Sequence, residues 1–129
     1  MSRAEEKTAL ASCRCGRVKL DIIGAPILGA ICYCTSCQQA GKLHQALPDA
    51  DTVLGADGGT NYVLYRKDRV RCVAGGEQLE EKRLKPESPT RRMNARCCNT
   101  AMFVDFTKHR VTFCPYWLAV TTRCFMDLL

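Results

Sequence analysis

Two groups of closely spaced cysteines near the start of the chain are the residues best suited to chemistry. The first group lies in Cys13-Arg14-Cys15-Gly16 and the second in Cys32-Tyr33-Cys34-Thr35-Ser36-Cys37. Thiolates separated by one or two residues can turn inward on a tight loop and meet one soft cation, for which Zn²⁺ is the common choice. Zn²⁺ takes four such ligands in a structural site, or three ligands and an open position in a reactive one. The second group offers three cysteines and no obvious fourth.

The cysteine content has a competing explanation in disulfide bonds. Ten cysteines in 129 residues approach the density of small secreted disulfide scaffolds. The N-terminal residues, however, carry charges of both signs and no apolar segment of the secretory type, so we expect a cytoplasmic protein with reduced thiols. Cys-x-Cys and Cys-x-x-Cys spacings are then more typical of metal binding. A redox role for the vicinal pair Cys97-Cys98 is disfavoured, because a vicinal disulfide strains the backbone.

The charge balance favours an anionic partner of modest size. The formal net charge is +6, from 19 Lys+Arg against 13 Asp+Glu, which suits a carboxylate, a phosphate or a nucleic acid. Aromatic residues make up 7% of the chain and do not alternate with basic residues, which argues against a base-stacking surface. The apolar segment 111–129 is interrupted by a proline and two charged residues, leaving no run near the ~20 apolar residues of a membrane-spanning helix. The sequence does not indicate an oligomeric state.

Short strands and turns are predicted around the cysteines. Residues Arg17 to Ile22 alternate between polar and apolar side chains with a period of two, as a strand does. Leu28 to Tyr33 is a short apolar run that leads into the second group. Further strands are predicted over three segments: Tyr62 to Tyr65, Val70 to Val73 and Gln78 to Leu84.

One helix and one long loop complete the prediction. Only Ser36 to His44 could hold a helix, and Pro48 to Asn61, rich in Gly and Asp, predicts a loop. We therefore expect a mainly β single domain of short antiparallel strands over residues 12–129, after a flexible segment over residues 1–11. The remaining cysteines lack partners at ligand spacing and are predicted to be small buried hydrophobic residues: Cys72, Cys114 and Cys124.

These motifs resemble those of the glutathione-dependent formaldehyde-activating enzyme (Gfa) and centromere protein V family. The resemblance covers roughly residues 12 to 107 and rests on Cys13-x-Cys15-Gly16, Cys32-x-Cys34-x-x-Cys37 and a late cysteine motif preceded by arginine and followed by threonine. It implies a β-tent fold, two zinc sites and carbon–sulfur lyase chemistry that joins formaldehyde to glutathione. It also implies a structural zinc held by the first group with the late motif, and a catalytic zinc held by Cys32, Cys34 and Cys37.

The late motif departs from the family pattern. The expected Phe-Cys-x-x-Cys-Gly-Thr aligns with residues 94–100, which places Ala95 where the first cysteine belongs. Cys98 keeps its position, and Cys97 could supply the missing thiolate to the structural zinc from the neighbouring position. Adjacent side chains of an extended strand point to opposite faces, so both can reach one metal only if the backbone turns there.

The three-cysteine group could bind a thiol at its open zinc position. Glutathione, a net anion, suits the electrostatics, and Lys42, His44 and Arg96 are the candidates to receive its carboxylates. The predicted substrate is therefore a small thiol or a thiol–aldehyde adduct such as S-hydroxymethylglutathione. The competing hypothesis is a zinc-stabilised binding module without catalysis, whose partner is a protein or a nucleic acid, the nucleic acid being disfavoured.

Overall fold

A computed structural model describes residues 8–115 of the chain, and within them nine strands accompany one α-helix. The helix is α1 (Thr35–Gln45), and single turns of 3₁₀ helix cover Lys67–Arg69 and Gly76–Gln78. The strands are β1 (Thr8–Ser12), β2 (Lys19–Ile23), β3 (Leu28–Cys32), β4 (Thr60–Arg66), β5 (Val70–Ala74), β6 (Leu79–Lys82), β7 (Thr90–Ala95), β8 (Thr100–Phe106) and β9 (Val111–Pro115).

The strands form two antiparallel sheets. A three-stranded sheet has the order β1-β2-β5, and a six-stranded sheet has the order β3-β4-β9-β8-β7-β6. Neighbouring strands pair in antiparallel fashion throughout the described part of the chain. The prediction of a mainly β fold of short antiparallel strands is therefore confirmed.

Buried apolar side chains from both sheets pack into one core. Ala9 and Ala11 in β1 alternate with exposed residues, as a strand with one buried face requires. From the six-stranded sheet, Tyr65 and Met102 are the largest fully buried members. Cys13 belongs to the same core, so the first cysteine group is anchored to the best-packed part of the molecule.

The predicted elements correspond to observed ones, but β1, β7 and β8 were not predicted from the sequence. β3 ends at Cys32, as the prediction of a strand leading into the second cysteine group requires, and α1 extends the predicted helix by one residue at each end. β1 begins at Thr8, although residues 8–11 were assigned to the flexible N-terminal segment. Alanine has a low strand propensity, but at positions 9 and 11 only a small side chain is needed to fill the core. Residues 1–7 and 116–129 lie outside the described residues.

The cysteines outside the two groups divide into different environments. Cys114 in β9 is fully buried, as predicted for a small hydrophobic residue, and burial raises the pKa of its thiol to about 12. Cys72 in β5 is exposed, so the prediction that it is buried is wrong. It lies on β5, an edge strand of the three-stranded sheet, which pairs on one side only within residues 8–115. Cys124 lies outside the described residues. None of the helices found between residues 8 and 115 has the length and apolarity to cross a bilayer.

A glycine at the turn between β5 and β6 is required by two independent constraints. Gly75 has φ 73°, in the left-handed region, and begins the 3₁₀ turn that leads into β6. A Cβ at this position would overlap the carbonyl oxygen of Arg17, a backbone atom. Gly24 has a similar φ of 78°, but a Cβ there would meet nothing within 4 Å.

We expect Gly75→Ala to lower the free energy of unfolding by more than about 2 kcal/mol, since backbone strain and overlap add. The matched change Gly24→Ala should cost only the conformational penalty, about 1 kcal/mol. Urea unfolding of both variants, followed by circular dichroism, measures the difference. Equal losses in the two variants would contradict a role for the close approach to Arg17.

Candidate metal centres and the adjoining cavity

Four cysteines from distant parts of the chain form one cluster. The sulfur atoms of Cys13, Cys15, Cys97 and Cys98 all lie within 4.8 Å of one another. The Cys13–Cys15, Cys13–Cys97 and Cys15–Cys97 sulfurs are 3.7, 3.8 and 3.3 Å apart. A tetrahedral zinc site with Zn–S bonds of about 2.3 Å has sulfurs about 3.8 Å apart. This four-cysteine cluster therefore has the donor set and nearly the dimensions of a structural metal site.

The backbone turn at the vicinal pair makes this geometry possible. β7 ends at Ala95, whose carbonyl oxygen accepts a hydrogen bond from the Cys98 amide at 3.3 Å. Asn99 then takes the left-handed conformation, with φ 52°, before β8 begins. The pair consequently lies in a turn, where adjacent side chains can point the same way, and the Cys97 and Cys98 sulfurs are 4.0 Å apart. Cys97 thus lies where a fourth thiolate is needed.

The adjacent thiols of Cys97 and Cys98 have pKa shifts of opposite direction. Burial raises the pKa of Cys97 to about 12, and its hydrogen bonds with Cys15 and Cys13 add to the shift. Burial also opposes ionisation of Cys98, but hydrogen bonds from Thr100 and from the Cys15 amide lower its pKa to about 6. Opposite shifts on neighbouring sulfurs are expected when like charges would share a site. A divalent cation would remove that conflict.

A second cluster stands where β3 meets α1. The sulfurs of Cys32, Cys34 and Cys37 lie within 4.8 Å of one another, and Cys32 is 3.3 Å from Cys34 and 3.1 Å from Cys37. Within residues 8–115, no further cysteine, histidine or carboxylate joins this three-cysteine cluster. Its donor set suits a soft metal that keeps one position open.

The start of α1 polarises the three-cysteine cluster. Cys34 is the N-cap residue, and its sulfur accepts a hydrogen bond from the Cys37 amide at 3.3 Å. Burial raises the pKa of Cys34, but hydrogen bonds from Cys37, Ser36 and Cys32 outweigh it and lower the pKa to about 6. Burial and its sulfur neighbours raise the pKa of Cys37 instead.

A cavity of about 510 Å³ adjoins the three-cysteine cluster. It lies between α1 and the six-stranded sheet, with Cys37 on its wall, and its size is within the usual range of small-molecule sites. Its apolar lining includes Leu43, Leu47, Tyr62 and Phe103, and its polar and charged lining includes His44, Asn94, Glu81, Lys82, Arg83 and Arg92.

The structure separates the three residues predicted to receive carboxylates. His44 lines the cavity, but Asp51 lies 2.5 Å from its Nε2 and Asn94 lies 3.2 Å from its Nδ1, so both ring nitrogens have partners. Lys42 is exposed on α1 and is not part of the cavity lining. Arg96 is exposed in the turn of the four-cysteine cluster, where its guanidinium donates to the Glu77 carbonyl oxygen at 2.7 Å.

Three cationic side chains that line the cavity were not identified as ligand contacts from the sequence: Lys82, Arg83 and Arg92. Arg92 in β7 donates from Nη2 to the Cys37 sulfur at 3.7 Å, and Lys82 in β6 lies opposite it across the strand pair. Arg92 is one of three arginines within residues 91–96. Neighbouring side chains of a strand point to opposite faces, so only one of Arg91 and Arg92 can face the cavity. Which of them does so depends on the strand register.

The loop between α1 and β4 is held by residues next to the four-cysteine cluster and by α1. The Arg14 guanidinium donates to the carbonyl oxygens of Asp49 and of Cys98, and the Asn99 side chain donates to the Pro48 carbonyl oxygen at 2.8 Å. Three residues later, Asp51 contacts His44 of α1. The four-cysteine cluster and the helix that carries Cys37 are therefore linked through a few residues of this loop.

We expect Cys97→Ser and Cys98→Ser each to weaken metal binding at the four-cysteine cluster by at least about tenfold and to lower thermal stability, because a hydroxyl is a poor ligand for a soft metal. Metal content after dialysis and thermal unfolding measure this. Cys72→Ser, on the exposed cysteine, is the control and should change neither quantity. Unchanged metal content in Cys97→Ser would remove Cys97 from the ligand shell.

Comparison with known proteins gives the family. A crystal structure of a Rhodobacter sphaeroides protein superimposes with a TM-score of 0.59 over 84% of this chain and 85% of that one, at 15% identity, which shows a shared fold. The comparison with curated proteins finds no match. The model of the family described as glutathione-dependent formaldehyde-activating enzyme matches residues 8–116, which include both cysteine clusters. The chain therefore belongs to the glutathione-dependent formaldehyde-activating enzyme family.

Proposed function

We propose that this protein is a zinc-dependent enzyme of the carbon–sulfur lyase type that acts on a thiol–aldehyde adduct, S-hydroxymethylglutathione. The observation that carries the proposal is the three-cysteine cluster, to which the described residues add no fourth ligand and which borders a cavity of about 510 Å³. Family membership supports glutathione and formaldehyde as the reacting partners.

The donor sets support zinc in both clusters. Sulfur-only ligation at these separations fits a soft, tetrahedral cation, and the four-cysteine cluster would hold a structural ion. When bound by three thiolates, Zn²⁺ would act as a Lewis acid and favour the thiolate form of an incoming thiol.

The chain's own residues would then bind and orient the reactants. In adduct formation the thiol sulfur attacks the aldehyde carbon, a carbon–sulfur bond forms, and the thiol proton ends on the former carbonyl oxygen. Apolar side chains such as Leu47 and Phe103 line the cavity and would limit the water that could compete as a nucleophile once a ligand fills it. The guanidinium of Arg92 beside Cys37 places positive charge where sulfur carries negative charge.

We expect the purified chain to contain about two zinc ions, one for each cluster, because each offers at least three sulfurs to one cation. Elemental analysis of protein prepared without a chelator measures the content. Removing the metal with a chelator should lower the melting temperature, since binding free energy at a structural site is folding free energy. A folded preparation with less than one metal ion per chain would contradict the two-site proposal.

We expect Cys34→Ser to abolish binding of glutathione, alone and with formaldehyde, because the cluster loses its most exposed thiolate. Serine is a good N-cap residue, so α1 should remain folded. Calorimetric titration measures binding, and metal content and circular dichroism should show the four-cysteine cluster and the fold intact. Cys72→Ser serves as the control.

Two outcomes would count against the proposed function. Unchanged affinity in Cys34→Ser would remove the three-cysteine cluster from the site. A fully zinc-loaded wild-type protein that binds no thiol would favour the non-catalytic binding module.

A further inference from the structure

Arg91 and Arg92 are neighbours in β7, yet their side chains have very different partners. The Arg91 guanidinium is paired with Asp105 and lies 3.2 Å from a Glu81 carboxylate oxygen. Arg92 has no carboxylate partner among residues 8–115, and the hydrogen bond recorded for its side chain there goes to the Cys37 sulfur at 3.7 Å. One arginine is thus satisfied by the fold, whereas the other presents its charge to the cavity.

The strand register adds a second cation to the same wall. Lys82 of β6 stands directly opposite Arg92, and like charges in that relation destabilise a strand pair. Lys82 reaches Glu80 at 3.3 Å, but these side chains are 40% and 42% exposed, so the ion pair is weak. Glu81, an acidic residue that does line the cavity, is already within 3.3 Å of Arg83 and Arg91. An anion bound between Arg92 and Lys82 would relieve their repulsion.

We infer that Arg92, assisted by Lys82, receives a carboxylate of the thiol ligand and thereby makes the site selective for thiols that carry one. The inference rests on the proposed function and adds the residue that positions the ligand. Because Arg92 contacts Cys37, a carboxylate on its guanidinium is held close to the cluster that receives the ligand sulfur. The planar fork of arginine can meet a carboxylate with two parallel hydrogen bonds, which fixes direction as well as position.

The test compares zinc-loaded wild-type protein and Arg92→Gln by calorimetric titration with glutathione and with glutathione diethyl ester, whose carboxylates are blocked. The variant should bind glutathione at least about tenfold more weakly, as expected for loss of a charge-assisted hydrogen bond. Its affinity for the diethyl ester should stay within about twofold of the wild-type value, since the ester makes no such bond. Arg92→Lys, which keeps the charge without the fork, should show an intermediate loss.

A matched control comes from α1. Lys42→Gln removes a cation of the helix that does not line the cavity and should leave both affinities unchanged. Metal content and the absorption spectrum of the Co²⁺-substituted proteins report on the three-cysteine cluster independently of ligand binding. Both should be the same in wild type and Arg92→Gln.

The outcomes separate this inference from the proposed function. Undiminished glutathione binding by Arg92→Gln overturns the inference and leaves the proposed function standing. Equal losses for glutathione and its diethyl ester, or loss of metal from the variant, assign Arg92 a structural role and also overturn it. A zinc-loaded wild-type protein that binds neither thiol removes the proposed function and the inference together.

Discussion

The repulsion among closely packed thiolates is the constraint on which the rest of the structure depends. In the four-cysteine cluster, Cys13 and Cys97 are 84 positions apart in the chain, and their sulfurs are 3.8 Å apart. Holding such distant segments together costs chain entropy, and ionised sulfurs at this separation repel. A cation at the cluster would offset both costs and tie the three-stranded sheet to the β7–β8 turn. Cys13 also belongs to the apolar core, so metal ligation and core packing support each other.

The same chemistry serves a different purpose at the start of α1. There the ligands come from a strand end and the first turn of a helix, so the backbone amide of Cys37 already stabilises a thiolate at Cys34. The four-cysteine cluster is closed by its own chain, whereas the three-cysteine cluster borders a cavity that can admit a ligand. The four-cysteine donor set is closed and would contribute stability. The three-cysteine donor set is open and would bind a ligand.

Local sequence predicted much of the fold and the grouping of the three cysteines before α1, because both depend on short-range patterns. Cys32, Cys34 and Cys37 are adjacent in the chain, and the apolar run before them forms β3. β1 was not predicted, because its buried alanines have a low strand propensity and their strand conformation depends on packing in the core. The turn that joins Cys97 to Cys98 was identified as a requirement, but whether the backbone supplied it depended on φ at Asn99.

Cavity residues were predicted less well because they depend on register between distant strands. Lys42 was predicted to receive a glutathione carboxylate, but it is not part of the cavity lining. Arg92 is 55 positions from Cys37 and approaches its sulfur only after β7 has paired with β6 and β8. No spacing rule within one sequence encodes that approach. Three arginines lie within residues 91–96, and their spacing does not distinguish the one that lines the cavity.

The loop between α1 and β4 has a consequence for how this chain can change length. Surface loops usually accept inserted residues, since each doubling in length costs only about 0.6 kcal/mol. Here the Pro48 and Asp49 carbonyl oxygens accept hydrogen bonds from the side chains of Asn99 and Arg14, which flank the four-cysteine cluster in the chain. The Val53 and Leu54 amides donate hydrogen bonds to the Gln45 side chain. An insertion at any of these points would shift one end of the loop against the other. The segment therefore behaves as a spacer of fixed length, and tolerance to insertion in this domain has to be found elsewhere on its surface.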